Sequence, residues 1–402
     1  MNERALRARF DADLARRANP ERSRLFDRAR LEQSISALVE YGKTPTFRLP
    51  GEAVQIVGSK GKGSTAFFLA ELSARSQKAN EWTVGLFTSP HLLDVSERIR
   101  INQKPADGVA LWQAAEQVHD ELKEAHEALS YFEFLTLVAI RVFINRGVDL
   151  AVFEAGLGGR FDATRMVPAR TVLLTRIERE HTAILGESRR AILSEKLGIL
   201  SDHTRRLVVM PQHDEITRTL VESAAHAHNP GLSLHFQREA EAPGTDYLSE
   251  NRRFAAFALR AMGSGSANEE LIRDYRPPGR LEVRRSEKFV YVFDVAHSPD
   301  SVARSLRDMQ RAPDRVVFAC LKDRDPLALL AVPGMPPPRQ IIGVEDEQFA
   351  PLPRPYVRYR PDRIAALLLE TLPDGSWVAF LGTHRTYALF CALSDHGATA
   401  EA

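Results

Sequence analysis

The segment Gly58–Thr65, GSKGKGST, sets glycines at 58, 61 and 63 around Lys60 and Lys62 and follows directly on an apolar run, AVQIVG. Glycine lets backbone N–H groups approach an anion with no Cβ in the way, and a helix opening at Ser64 adds the favourable field of its amino terminus. The chemistry this suits is the holding of linked phosphates. Lys62 would neutralise the outer phosphates, and Ser64 or Thr65 would place a hydroxyl on Mg²⁺. Gly58, Ser59, Lys60, Gly61, Lys62, Gly63, Ser64 and Thr65 are therefore candidate phosphate contacts. The spacing G-x-x-G-K-G-S departs from the general G-x-x-x-x-G-K-[ST] form, and an ordinary glycine-rich strand-to-helix turn is the alternative. A second signal is Glu154, which ends the run VDLAVFE before AGLGGRFDAT. An acid at the carboxyl end of a parallel strand lies near the usual ligand crevice of an open α/β sheet, so Glu154 is a candidate metal ligand or a strand-end cap.

The elements that must position these residues alternate between short β-branched runs and longer amphipathic segments, the pattern of a mostly parallel sheet covered by helices. Strands are expected at 53–58, 83–88, 148–154, 171–177 and 206–210, with helices starting near Ser64, Leu111, Glu133 and Arg189. In the last of these Ile192, Leu193, Leu197 and Leu200 form the apolar stripe, with Glu195 and Lys196 at its border. A helix running from about Glu250 leads into MGSGSANEELIRDYRPPGR, where Gly, Ser and a Pro-Pro-Gly break mark a linker. The boundary is placed at Gly279, giving domains 1–279 and 280–402. Beyond it FVYVFD, RVVFAC, RQIIGV and WVAFL restart the alternation.

The length of 402 residues suits two cores, since single cores stop growing at roughly 250–300 residues. A formal net charge of +1 gives no reason to expect a nucleic-acid or membrane partner. Cys320 and Cys391, each among apolar residues, read as reduced thiols. The charged amino terminus lacks the apolar core of a signal peptide, and no apolar run is long enough for a transmembrane span, so a cytoplasmic location is expected.

Taken in order, GSKGKGST, LFTSPHLLDVSERIRIN, YFEFLTLVA, DLAVFEAGLGGRFDAT, EHTAILG, EKLGIL, ENRRFAAFAL, PPGRLEV, FDVAHSPDS, LKDRDP and GTHRTY resemble the folylpolyglutamate synthase and dihydrofolate synthase family of the Mur ligase superfamily. They cover about residues 50–390. The resemblance implies a P-loop-type three-layer ATPase domain followed by a smaller Rossmann-like α/β domain. It also implies a reaction in which ATP phosphorylates a folate or dihydropteroate carboxylate and the amino group of L-glutamate displaces phosphate. By position it implies that Lys62 holds phosphates, that Ser64 and Glu154 bind one Mg²⁺, and that His181 binds a second. Lys196 matches a lysine that members of the family carbamylate. Asn251, Arg280, Asp294 and His297 match nucleotide contacts, and Thr88, Ser89, Pro90, His91, Phe132 and Glu133 match the neighbourhood of the pterin. A monomer is implied.

Each assignment has a plainer alternative. His181 could be a satisfied surface or core histidine, Lys196 could pair with an acid on an exposed helix face, Asp294 could cap the helix at Pro299, and His91 could be only a loop residue. The chain also departs from the family pattern. Lys60, Arg165 and Arg176 stand where Asn is usual, Glu180 stands for Asp, and VAHSP for GAHNP. The added cations either supplement or replace the second Mg²⁺ at a working transfer site, or an Arg close to His181 repels a metal, leaving an impaired ligase or a catalytically altered nucleotide-binding relative. A Mur-type ligase of another carboxylate is the remaining alternative.

Overall fold

A computed structural model describes residues 2–18, 28–76, 82–212, 216–238, 246–263 and 267–395. The chain divides into two compact units, Met1–Pro243 with Ser249–Arg273, and Gly244–Leu248 with Asp274–Ala402. The sequence-derived boundary at Gly279 falls a few residues inside the second.

In the first unit the strands are β1 (Glu52–Val57), β2 (Val84–Phe87), β3 (Ile99–Ile101), β4 (Lys104–Pro105), β5 (Leu150–Glu154), β6 (Thr171–Leu174), β7 (Arg206–Val209) and β8 (Ser233–Phe236). They form one sheet in the order β4-β3-β2-β5-β1-β6-β7-β8, parallel except at β3 and β4. Helices α1 (Glu3–Arg16), α2 (Arg28–Gly42), α3 (Lys62–Ser76), α4 (Gly108–Leu122), α5 (Tyr131–Asn145), α6 (Thr182–Leu185), α7 (Arg189–Leu197), α8 (Arg218–His228) and α9 (Tyr247–Ala261) accompany it.

The central strands read as continuous apolar runs because both of their faces are covered. Ala53, Phe87, Ala151 and Phe153 share a core with α1, α2, α4 and α5, while Val57, Val172 and Leu174 share another with α7 and α8. Val54, Ile56, Val152 and Leu173, on the alternate face, are fully buried too, and α3 packs on β1, β2 and β5. The consequence is a three-layer arrangement with the carboxyl ends of β1, β5 and β6 side by side.

The second unit carries β9 (Glu282–Arg285), β10 (Phe289–Phe293), β11 (Arg315–Phe318), β12 (Ile341–Val344), β13 (Val357–Tyr359) and β14 (Ser376–Leu381), ordered β13-β12-β11-β14-β10-β9. Only β9 runs antiparallel to its neighbour. Helices α10 (Pro299–Asp308), α11 (Pro326–Leu330), α12 (Pro361–Thr371) and α13 (Tyr387–Asp395) complete a Rossmann-like α/β unit. Cys320 is buried and Cys391 half-buried, and both are free thiols. Among the described residues no helix is long and apolar enough to cross a membrane.

Helix α1 is fixed to the first unit by a charged cluster. Asp13, 3% exposed, accepts from Arg17 at 3.1 Å and meets His119 Nε2 of α4 at 3.0 Å. Arg17 lies 3.5 Å from the centroid of Phe134 on α5 and donates to the His126 carbonyl. Burial alone would raise the Asp13 pKa, but the His119 and Arg17 interactions prevail and bring it from 3.8 to about 2. A carboxyl with a lowered folded-state pKa stabilises the fold above its unfolded value and loses that contribution as pH falls through the folded one. Asp13→Asn should therefore cost about 1–2 kcal/mol at neutral pH, after allowance for solvent screening. In denaturant titrations the gap from the wild type should close as pH drops from 3.8 towards 2. A gap that stays constant over that interval would exclude the ion pair as its source.

Candidate active site

Strand β1 ends at Val57 and the loop 58–61 turns the chain into α3, whose first residue is Lys62. Gly58 has φ +144° and Gly61 φ +89°. A Cβ on Gly58 would lie 1.9 Å from Thr175 Oγ1, and one on Gly61 would lie 2.2 Å from Asn251 Oδ1, so both backbone and space demand glycine. The loop is pinned by the N–H groups of Ser59 and Lys60, which donate to the Arg176 carbonyl at 2.8 and 3.2 Å. Ser59 Oγ donates to the Glu178 carbonyl, and buried Thr65 donates its hydroxyl to Asn251 Oδ1 at 3.2 Å. Asn251, a buried residue of α9, thus braces the loop from behind, and Ser64 is buried at the helix start.

Two ammonium groups converge on one carbonyl. Lys62 Nζ is 3.0 Å and Lys196 Nζ 2.7 Å from the oxygen of Gly58. Lys196 is 1% exposed, and it also meets Glu180 Oε1 at 3.4 Å, while Lys60 Nζ lies 3.5 Å from Glu180 Oε2. Burial, reinforced by the charge of Lys62 and opposed by Glu180, brings the Lys196 amine down to about 8. Burial would raise the Glu180 carboxyl, but Lys62, Lys196, Lys60 and His181 overcome it and hold it at about 2. Lys196 does pair with an acid, but it does so inside the protein and not on an exposed helix face.

The segment after β5 explains how α7 delivers this lysine. A Cβ on Gly159 would lie 2.2 Å from the Lys196 carbonyl oxygen, and the Arg160 N–H donates to the Glu195 carbonyl at 3.0 Å. Asp162, fully buried, accepts from Leu157 N–H, Thr164 N–H and Thr164 Oγ1. Burial pushes its carboxyl pKa up against the effect of those bonds. Gly159, Arg160 and Asp162 were not singled out by sequence; the turn-forming D-x-T pattern at Asp162 was the available signal.

Glu154, 5% exposed, lies opposite Ile56 in the register of β5 and β1, and its Oε2 accepts the Ser89 N–H at 3.1 Å. That bond joins the Thr88–His91 loop to the end of the central strands. Thr88 is buried and bonded to the Arg98 carbonyl, Ser89 is half-buried and Pro90 exposed. His91 Nδ1 accepts from Nε of buried Arg98 at 2.9 Å, so His91 is an anchored residue and not merely a loop position. The Phe132 ring lies 5.6 Å from that of Phe87 and borders Gly156. Glu133, by contrast, is 5% exposed and turned into its own helix terminus, where it accepts the Ser130 N–H at 2.6 Å in a capping box. His181 is exposed, left-handed at φ +48°, and opens α6 with its carbonyl accepting from Ile184 and Leu185. Arg176 pairs with Glu250 at 3.3 Å, and Arg165 donates to the Arg160 carbonyl.

Among the described residues no group of three or more His, Cys, Asp or Glu side chains is placed to hold a metal. Ser64 and Glu154 suit Mg²⁺ only as a partial ligand set, since that ion keeps waters and takes phosphate oxygens alongside one or two carboxylates.

In the second unit Asp294 is a hub. Its carboxylate, 3% exposed, accepts from Tyr247 OH at 2.5 Å and from Leu281 N–H, Ala296 N–H and Ser305 Oγ at 2.9 Å each. Burial and the Asp294 charge push the Tyr247 phenol pKa well up. The cap of α10 is Ser298, not Asp294. His297 is exposed and its Nδ1 donates to the Val295 carbonyl at 2.9 Å, while Arg280 is half-buried and donates to the Gly279 carbonyl.

No family model matches the chain. It is 30% identical over 298 residues to the dihydrofolate synthase/folylpolyglutamate synthase of Escherichia coli, covering 69% of each chain. It is 31% identical over 325 residues to a probable bifunctional folylpolyglutamate synthase/dihydropteroate synthase of Halobacterium salinarum, covering 73% of this chain and 39% of that one. Of several such curated relatives the chain spans less than two thirds, 36% to 61% of their length. The structure of Mycobacterium tuberculosis folylpolyglutamate synthase complexed with ADP superposes with a TM-score of 0.77 at 20% identity over 100% of both chains.

The geometry of the glycine loop makes a direct prediction. Gly61→Ala should drive Asn251 from its place and force a left-handed alanine, at a cost of about 1–3 kcal/mol visible as a lowered Tm. A variant melting with the wild type would show that the loop tolerates a side chain there.

Proposed function

The chain belongs to the folylpolyglutamate synthase and dihydrofolate synthase family, and we propose that it is an ATP-dependent ligase that joins L-glutamate to a folate or dihydropteroate carboxylate through an acyl phosphate. The observation that carries this reading is the glycine loop at the carboxyl end of β1, with Lys62 and Lys196 converging on the Gly58 carbonyl beside Glu154. A glycine loop at a helix amino terminus, with Lys62 and buried Lys196 beside it, matches a triphosphate better than a neutral ligand.

In this reading Lys62 exchanges its bond to Gly58 for the β and γ phosphates of ATP, while the backbone of Gly58–Thr65 holds the rest. Asn251 acts by keeping that backbone in shape. Ser64 and Glu154 would hold Mg²⁺, which when bound offsets the charge that builds on the transferred phosphoryl. The substrate carboxylate oxygen attacks the γ phosphorus, the bond to the bridging oxygen breaks, and ADP leaves. The glutamate amine then attacks the acyl carbon, the bond from that carbon to the phosphate oxygen breaks, and the amide forms as phosphate and a proton depart. Activation is needed because a free carboxylate is a poor acyl donor.

Thr88, Ser89, Pro90, His91 and Phe132 form the substrate side, tied to Glu154 by the Ser89 N–H. Glu133 serves that side through the cap of α5. Lys196 stands at the phosphate end as an ammonium group, paired with Glu180 and bonded to the Gly58 carbonyl. His181, next to Glu180 in the chain, is the remaining candidate at that end. Arg280 and His297 are the second unit's candidates for nucleotide contact, and Asp294 supports them by organising the backbone between Leu281 and Ala296.

The reading is tested by phosphate release from ATP with dihydropteroate or tetrahydrofolate, each with and without glutamate. Release should require both the pterin acid and glutamate, and Lys62→Met should lower it about 10²- to 10³-fold, the usual effect of removing a charge-stabilising donor. Release indifferent to both substrates, or unchanged in Lys62→Met, would overturn it.

A further inference from the structure

One carboxylate stands among the lysines of this site, and both of its oxygens are taken by ammonium groups. Glu180 Oε1 lies 3.4 Å from Lys196 and Oε2 3.5 Å from Lys60, with Lys62 and His181 adding to the field that acts on it. Around His181 the charges are therefore cationic, and the carboxylate beside it is already neutralised from both sides. A second divalent ion placed there would meet three ammonium groups with one imidazole as its protein ligand, and no cluster of three suitable donors exists among the described residues. The residues present do not fit such an ion.

Lys60 differs from the other two lysines in a way that matters. Lys62 and Lys196 share the Gly58 carbonyl, and Lys196 is enclosed. Lys60 sits on the glycine loop itself, its side chain is 30% exposed, and among the described residues it pairs with Glu180 at 3.5 Å. Its backbone is fixed by the bridge to Arg176, while the flexible four-carbon stem leaves the ammonium able to turn. Arg176 itself is drawn to Glu250.

We propose that Lys60 is the resident cation of the transfer site. Paired with Glu180 in this structure, it turns to the terminal phosphate when a nucleoside triphosphate occupies the loop, and it removes the need for a second divalent ion. Glu180 keeps Lys196 as its partner throughout. This inference rests on the ligase reading, and it adds that the site works with a single divalent ion, carried by the nucleotide at Ser64 and Glu154.

The test counts ions in the full-length protein without turnover. Mn²⁺ bound in the presence of the imido analogue of ATP is measured by electron paramagnetic resonance, and nucleotide bound is measured separately by equilibrium dialysis. The wild type should bind one Mn²⁺ per nucleotide, as should Lys60→Arg. Lys60→Asn, folded by circular dichroism, should bind two, because Glu180 Oε2 is released beside His181, with nucleotide affinity lowered about tenfold. Two ions in the wild type would overturn the inference by themselves, whatever the variants do. So would a single ion in Lys60→Asn with unaltered nucleotide affinity. A wild type that binds no nucleotide at all would instead refute the ligase reading, and this inference with it.

Discussion

The carbonyl of Gly58 is the point on which the site turns. It accepts from two lysines that reach it from different elements, Lys62 from the helix that follows the loop and Lys196 from α7. That convergence is possible only because Gly58 has a conformation closed to other residues and because Thr175 fills the space where a Cβ would be. It also requires β1 to lie between β5 and β6, so that the loop, Glu154 and the Arg176 backbone emerge together. The fold, in this sense, is a device for bringing three strand ends to one place.

The electrostatic consequence is a cluster of like charges held close together. Burying Lys196 beside Lys62 depresses its pKa, and Glu180 compensates by remaining fully ionised among the cations. An unpaired buried charge destabilises a protein strongly, whereas one with good hydrogen bonds is tolerated. Gly58 and Glu180 supply those bonds here. A polyphosphate would supply better ones, which is why an arrangement of this kind is suited to a highly charged anion and poorly suited to a neutral ligand.

Much of this was legible in the sequence, for identifiable reasons. Glycine spacing around Lys62 exposes the glycine loop, and apolar runs expose the central strands, because a strand covered on both faces has few polar positions to confuse the pattern. The short edge strands β4, β8, β9 and β13 were not read, since half-exposed edges lack such runs, and β3 is only three residues long; β9, for one, alternates between half-buried and exposed residues. The burial of Lys196 was hidden for a different reason. Its position borders the apolar stripe of α7, and Gly159 and Arg160, on a distant segment, pack against the backbone of that turn. Glu133 was read as a substrate neighbour although Ser130 three residues earlier already signalled a capping box. The Asp294 hub depends on Tyr247 and Ser305, contacts that no local pattern reveals. The Asp13 cluster beneath α1 is of the same long-range kind.

The transfer of a phosphoryl group to an organic acid leaves an isotopic trace that no binding measurement can imitate. With ¹⁸O placed in the carboxylate of the pterin substrate, an acyl-phosphate ligase delivers one labelled oxygen to inorganic phosphate for each amide bond made, detectable by the isotope shift in ³¹P resonance. Amide formation with unlabelled phosphate, or phosphate released from ATP with no amide formed, would contradict the proposed chemistry.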